Sequence, residues 1–238
     1  MFAPDEKASY VQKTFDAIVP HYDLMNRIMS GGRDEAWRRL TAKQIELSEG
    51  KRVLDVAAGT ADLSVAVARQ HPTATVYALD FSLPMLVRGK EKVNEQAVDA
   101  SIQFTAGDAL RLPFPDATFD AVTSAFLMRN VTDIEKAFAE MARVTVPDGR
   151  VICLEISKPT LPVFRNLFWW YFTTVVPAIG RLISRHAEAY TYLPQSLAQF
   201  VGADELKQRM ENAGLGNVTY RRLMLGTMAL HIGHTQKS

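Results

Sequence analysis

The chain has 238 residues, of which 47% are hydrophobic and 22% charged, and its net charge is +1 at pH 7. That is an ordinary composition for a globular chain long enough to bury a sizeable core. It lacks the basic excess that holds nucleic-acid phosphates, and a single cysteine, Cys153, excludes an internal disulfide framework.

The opening MFAPDEKASYVQK has acids and no apolar run, so no secretory signal is expected there, and residues 1–50 read as a helical cap. KRVLDVAAG is a short apolar strand ending near Ala57, followed by a helix, TADLSVAVARQ, that stops before Pro72. ATVYALD is a second buried strand, and PMLVRGKEKVNEQ is a helix with Pro84 in its first turn. SIQFTAGD is a third strand, and ALRLPFPDATF a loop held by Pro113 and Pro115. DAVTSAFLM is a fourth strand, and DIEKAFAEMARV a helix capped by Asp133. The turn at 147–149 leads to a fifth strand, RVICLEIS. This strand–helix alternation predicts a parallel sheet with helices on both faces. After Ser157 the pattern changes to an apolar helical lid, then a helix at 203–213 and two strands around Gly226, a hairpin added to the sheet edge. The whole reads as one domain: cap 1–50, core 51–158, lid 159–200, and C-terminal helix and hairpin 201–238.

Open α/β sheets bind ligands beyond the carboxyl ends of their strands. Gly59 and Thr60 of DVAAGTADL lie there, where unpaired N–H groups at the start of a helix suit a carboxylate. Asp80, closing the second strand, can accept both hydroxyls of a ribose. Taken alone, the loop fits a plain strand–helix turn equally well, and Asp80 a solvated strand end. Their separation by one β-α-β unit favours a nucleoside. Dinucleotides need three glycines for the close approach of a pyrophosphate, and only Gly59 is present, so S-adenosylmethionine fits better than NAD. Asp108 and Ala109, after the third strand, are candidates for meeting its adenine; a simple turn starting at Asp108 is the alternative.

HYDLMNRIMSGG with Trp37, VLDVAAGTADL, DALRLPFPDATFD, FLMRNVTD, GRVICLEISKP, AYTYLPQS and MALHIGH cover nearly the whole chain. Together they resemble the C-methyltransferases of menaquinone and ubiquinone biosynthesis, most closely those acting on demethylmenaquinol. The resemblance implies a Rossmann-like class I methyltransferase fold. Its seven-stranded sheet is mostly parallel with an antiparallel last strand, and it carries the helical cap and lid. It implies donor contacts at Gly59, Thr60, Asp80, Asp108 and Ala109, and an acceptor side at Tyr22, Asn26, Arg129 and Asn130, with Leu127 beside them. The chain departs from the family pattern in four places. It has AGTAD for GGTGD, Leu127 for a glycine, Ala125 for a serine and Asp34 for a histidine.

The implied reaction moves a methyl group from a sulfonium to a carbon of a reduced quinol ring. A phenol in water has a pKa near 10, so the site must favour the phenolate or remove its proton during attack. Arg129 is the residue to stabilise it; a salt-bridged surface arginine is the competing use. Tyr22 is a candidate proton relay or a packed ring, and His186 and His231 are the histidines to test as general base, against structural roles for both. No spacing of histidines and acids suggests a metal, and no nucleophile–base pair is evident.

NLFWWYFTTVVPAIG, residues 166–180, is uncharged and too short to span a bilayer. We expect residues 163–183 to form a pair of lid helices, with Trp169 and Phe172 lining a path for a prenyl tail and Arg165, Arg181 and Arg185 facing anionic headgroups. Burial in a core or in a homodimer interface is the other use of such a stretch. The expected partners are a lipid-like prenylated quinol and the membrane surface, with no nucleic acid, and the expected place is the cytoplasm at the inner face of the membrane. Three rivals remain. One is a methyltransferase for another phenolic or polyketide-like ring. Another is an NAD-dependent oxidoreductase, disfavoured by the missing glycines and the absence of a Tyr-x-x-x-Lys pair. The third is a donor-binding partner protein without catalysis.

Overall fold

The computed structural model describes residues 4–46, 50–96, 98, 102–183 and 187–236. Its sheet has seven strands in the order β3-β2-β1-β4-β5-β7-β6. These are β1 (Arg52–Val56), β2 (Thr75–Asp80), β3 (Ile102–Ala106), β4 (Phe119–Ala125), β5 (Thr145–Ile156), β6 (Gly216–Leu223) and β7 (Met228–His234). β1 pairs in parallel with β2 and β4, β2 with β3, and β4 with β5. β7 lies antiparallel between β5 and β6, so the C-terminal hairpin joins the sheet with its last strand inward.

β1 and β4 are buried along most of their length, as central strands covered on both faces must be. One layer of the core packs Leu54, Phe119, Val122, Phe138, Met141 and Val151. The other packs Val53, Leu63, Val67, Val76, Ile152 and Leu154 on the opposite face. Adjacent strand residues alternate between the two, the period-two pattern of a pleated sheet. The chain order runs outward from β1 to β3 and then restarts at β4. The switch point, where ligands bind in such sheets, therefore lies between the ends of β1 and β4.

The helices are α1 (Pro4–Ile18), α2 (Tyr22–Met29), α3 (Asp34–Ala42), α4 (Asp62–Gln70), α5 (Leu83–Glu95), α6 (Ile134–Val144), α7 (Pro162–Trp170), α8 (Val176–Ile183), α9 (Ala187–Gln199) and α10 (Ala203–Asn212). Ser82 and Asp133 cap α5 and α6 by accepting the N–H groups of Met85 and Lys136.

Three expectations change. β4 ends at Ala125, not Met128, because Phe126 turns into the left-handed region at φ +63°. The turn at 147–149 lies inside β5 as a bulge, the pairing with β4 jumping from Phe119↔Thr145 to Ala121↔Arg150. The lid is one continuous helix, not a pair: α7 runs into a π-helical turn, Tyr171–Val175, and on into α8. Pro177 accounts for the π turn. It has no N–H to offer the fourth residue back, and the wider register lets the Val176 N–H reach the Tyr171 carbonyl instead. Among the described residues no helix is long and apolar enough to cross a membrane.

His231 sits in mid-β7, fully buried, its Nε2 2.9 Å from the Ala203 carbonyl and its ring stacked on Tyr220. Burial pushes its pKa down to about 4. It is a structural histidine on the far side of the sheet, and the general-base expectation for it fails. His186 lies outside the described residues.

Candidate active site

The loop after β1 keeps a glycine-type path without the glycines. Ala57, Gly59 and Ala61 take φ of +59°, +56° and +66°. Each alanine in that region costs about 1 kcal/mol, and the packing compensates. Ala61 is fully buried, and Gly89 of α5 comes so close that a Cβ there would sit 3.2 Å from the Thr60 carbonyl carbon. The Gly59 N–H donates to Asp80 Oδ2 at 2.8 Å and the Ser82 N–H to Oδ1 at 2.9 Å. Burial pushes the Asp80 carboxyl up, while these amides pull it back toward the charged form. A carboxylate has about four lone-pair sites, so acceptor capacity remains toward the adjoining cleft.

That cleft, of about 50 Å³, is lined by Gly59, Asp80, Phe81 and Met85 on one side and Leu127 and Asn130 on another. Val11 and Phe15 of α1 cover it. Lys7 Nζ donates to the Val131 carbonyl, Gln12 to that of Phe81, and the Ser82 hydroxyl to Asp16, so α1 is strapped across the donor end of the sheet. The chemistry of the lining suits the sugar end of a methyl donor, a carboxylate for its hydroxyls with the apolar Phe81 and Met85 beside it, in a cleft that is narrower here than a nucleoside.

Three donor-side candidates, Thr60, Asp108 and Ala109, stand outside the lining of this cleft. The Thr60 hydroxyl is turned away from the cleft. It donates to Asp23 at 2.6 Å and accepts from Lys92 at 2.9 Å. Lys92, itself buried, also bridges Asp23 and Asp62 at 2.6 Å each. Thr60 therefore fastens α2 to the loop. Asp108 and Ala109 follow β3 beside Asp80, whose carbonyl accepts the Gly107 N–H at 3.0 Å. They do not line the cleft; Asp108 Oδ1 accepts the Leu110 N–H at 2.8 Å, closing its own turn.

Asp55, on β1 behind the loop, is a site-supporting acid that sequence reasoning missed. It is fully buried, accepts the Ser64 hydroxyl at 2.6 Å, and has its carboxyl pushed up by burial to about 7. An acid that holds its proton more tightly when folded adds stability at low pH and loses it as pH rises through about 4 to 7. We therefore expect the stability advantage of wild type over Asp55→Asn to shrink by roughly 4 kcal/mol between pH 4 and pH 8, at 1.36 kcal/mol per unit. Urea unfolding at several pH values measures it; a constant difference would show that Asp55 is not protonated in the fold.

On the other side of Tyr22 and Phe126 lies a cavity of about 350 Å³. Both rings line the cleft and the cavity, and the Tyr22 ring lies 3.8 Å from where a Cβ on Gly59 would stand. Met29, Trp37, Ile156, Phe168, Phe172 and Met228 make most of its wall. Its polar groups include those of Tyr22, Asn26, Asp34, Arg38, Arg129 and Tyr171. Arg129 Nη1 donates to the Phe126 carbonyl at 2.5 Å, and its Nε, like the Asn26 Nδ2, is buried and has no partner among the described residues. Burial pushes the Tyr22 phenol up, and Asn26, Arg38 and Arg129 only partly offset this.

Arg38, which carries no motif signal, pairs in the cavity wall with Asp34, one of the departures from the family pattern. Arg38 is buried, bonds Asp34 at 2.6 Å, and lies 3.4 Å from Asp62. Burial pushes the Asp34 carboxyl up, but Arg38 and the Ser30 hydroxyl outweigh it and hold it below the usual range. The residue that departs from the family pattern is thus an ionised acid in the cavity wall.

Of the expected acceptor residues, the structure brings Tyr22, Asn26, Arg129 and Phe172 to the cavity. Leu127 packs in the core beneath the donor cleft, and Asn130 faces that cleft, its amide donating to the Phe126 carbonyl and accepting from Tyr192. Trp169 packs against Phe168 outside the lining, and its neighbour Trp170 lines the cavity.

The model of the ubiE/COQ5 methyltransferase family matches residues 3–235. A demethylmenaquinone methyltransferase of Roseiflexus castenholzii is 45% identical over 231 residues, covering 97% of this chain and 95% of its own. A ubiquinone/menaquinone biosynthesis C-methyltransferase, UbiE, of Geotalea uraniireducens is 41% identical, covering 98% and 99%. Among solved structures, the cyclase SpnF superposes with a TM-score of 0.72 over 96% of both chains at 16% identity. The phosphoethanolamine N-methyltransferase 2 of Haemonchus contortus, solved with S-adenosyl-L-methionine, gives 0.63 over 85% of this chain and 53% of its own at 14% identity. At such identities the likeness concerns the fold alone, and that fold carries a cyclase as readily as a methyltransferase.

Proposed function

The chain belongs to the ubiE/COQ5 methyltransferase family, and from that premise we propose that its acceptor is a prenylated quinol, demethylmenaquinol first, held in the cavity beneath α7. The protein is an S-adenosylmethionine-dependent methyltransferase of quinone biosynthesis. The observation that supports this acceptor is the make-up of the cavity. It is apolar over most of its wall, carries Arg129 and the Arg38–Asp34 pair as its charged groups, and shares two aromatic residues with the donor cleft.

Held by Asp80 and the loop at Gly59, S-adenosylmethionine would supply an electrophilic sulfonium methyl for a carbon of the quinol ring. The protein's own contribution is electrostatic and geometric. Arg129 presents a fixed positive charge to the quinol oxygen and lowers the cost of its ionised form. Tyr22 donates a hydrogen bond from beside the two ligands. The aromatic cover excludes water, and alignment of sulfur, methyl and ring carbon in direct contact beside these rings is worth several kcal/mol.

A tail also needs a way out. Leu167, Trp170 and Met224 line the cavity yet are 54%, 56% and 39% exposed. Leu161, Val163 and Leu225 extend the same apolar surface, because the turn at Gly226 packs against Pro159 and Thr160 ahead of α7. This face would rest on the inner surface of the cytoplasmic membrane and take the tail from it, at about 0.8 kcal/mol per buried methylene. Arg165 stands exposed beside it. The side chains of Arg181 and Arg185 lie outside the described residues.

The deciding experiment incubates purified protein with labelled methyl donor and a membrane lipid extract, and identifies the labelled product. Menaquinol labelled in its new ring methyl is expected; label only in a tailless phenol would overturn the acceptor assignment. In vesicle flotation, Leu167→Ser with Trp170→Ser should lower the bound fraction roughly tenfold. Equal flotation of both proteins, or a second copy covering α7 in sedimentation, would remove the membrane role.

A further inference from the structure

The turn after β4 carries Phe126, Arg129 and Asn130, and its shape is unfavourable for its sequence. Phe126, a bulky residue, sits at φ +63°. Something outside the turn has to hold it. The Phe126 N–H donates to the Leu154 carbonyl at 2.9 Å. The second tie is a side chain: Glu155 Oε1 accepts the Met128 N–H at 2.7 Å. Glu155 Oε2 accepts the Ile156 N–H at 3.2 Å and lies 3.8 Å from Arg129 Nη1.

Glu155 is fully buried near the carboxyl end of β5, and it lines neither the donor cleft nor the acceptor cavity. A carboxylate there is costly, and burial pushes its carboxyl up to about 7 against the pull of Arg129 and the two amides. Such a group needs a reason. An apolar residue could fill the volume, but it could not accept the Met128 N–H, and it would leave the nearly buried Arg129 guanidinium without a counter-charge.

We propose that Glu155 is a positioning residue for methyl transfer, fixing the 126–130 turn through the Met128 amide and aiming the Arg129 guanidinium into the acceptor cavity. It acts through Arg129 and touches neither ligand. The proposal rests on the role given to Arg129 above, and its test separates the two.

Glu155→Gln keeps an oxygen for the Met128 amide and removes the charge; Glu155→Asp keeps the charge on a shorter stem. Turnover on a short-chain demethylquinol, donor Kd by calorimetry and melting temperature are measured for the full chain. The set comprises wild type, both Glu155 variants, Arg129→Ala, and Arg129→Ala combined with each of them. Glu155→Gln should lower turnover about 30-fold, with donor Kd within twofold. Glu155→Asp should recover part of that loss, and the double variants should be no slower than Arg129→Ala alone. Losses that multiply in the double variants would mean that Glu155 does not act through Arg129, and wild-type turnover in Glu155→Gln would overturn the proposal directly. Wild-type turnover in Arg129→Ala would instead remove the reading of Arg129 itself. If Glu155→Gln does not fold, comparing Arg129→Ala with its Glu155→Asp double distinguishes the same outcomes.

Discussion

Arg129→Ala lowers turnover by about 10²–10³-fold, the range seen when one preorganised donor to a developing oxyanion is lost, and leaves donor affinity nearly unchanged. The geometry separates the two effects. The Arg129 side chain lines the acceptor cavity and is absent from the donor cleft. Its partners are the Phe126 carbonyl and, at 3.8 Å, Glu155, so removing it does not cut a tie to the donor loop. Single-turnover methylation at saturating donor, with calorimetric titration of the donor, measures both quantities. Equal loss of turnover and affinity would show that Arg129 serves the fold of the 126–130 turn and not the chemistry.

Asp80→Asn acts on the opposite ligand. The carboxylate accepts the Gly59 and Ser82 amides on its two oxygens. An asparagine has one acceptor oxygen, so its NH₂ must face one of those N–H groups, and a sugar hydroxyl loses its charged acceptor as well. Hydrogen bonds to a charged group contribute about 1.5–3 kcal/mol each, so donor Kd should rise about 100-fold or more. Turnover at saturating donor should stay within about tenfold of wild type, because the acceptor cavity is untouched. Calorimetry against the donor and its thioether product checks this; a Kd within threefold of wild type would remove Asp80 from the donor site.

The donor end of the sheet is legible in the sequence because its signals are local. An apolar run ending in an acid gives β2 and Asp80, and a glycine between strand and helix gives the turn at Gly59. The acceptor side is less so. Phe126 ends β4 in a left-handed conformation that no glycine announces, and that shifts Leu127 and Asn130 to the donor side while Arg129 stays with the acceptor. Ala57 and Ala61 hide a glycine-type loop for the same reason. Thr60 reads as free in the sequence because its partners, Asp23 and Lys92, lie 37 and 32 residues away. Val11 and Phe15 give no motif at all; only tertiary packing shows that α1 roofs the cleft. The apolar character of the lid is plain in the sequence and its continuity is not, since the remedy for Pro177 is a single wide turn and not a break.

Tyr22 and Phe126 each line both the cleft and the cavity, so little more than these two side chains stands between the two spaces. An inhibitor chemist can exploit so thin a wall. A compound carrying an adenosine head and an aromatic bicycle would need only a short tether to seat both ends, and each end would raise the local concentration of the other.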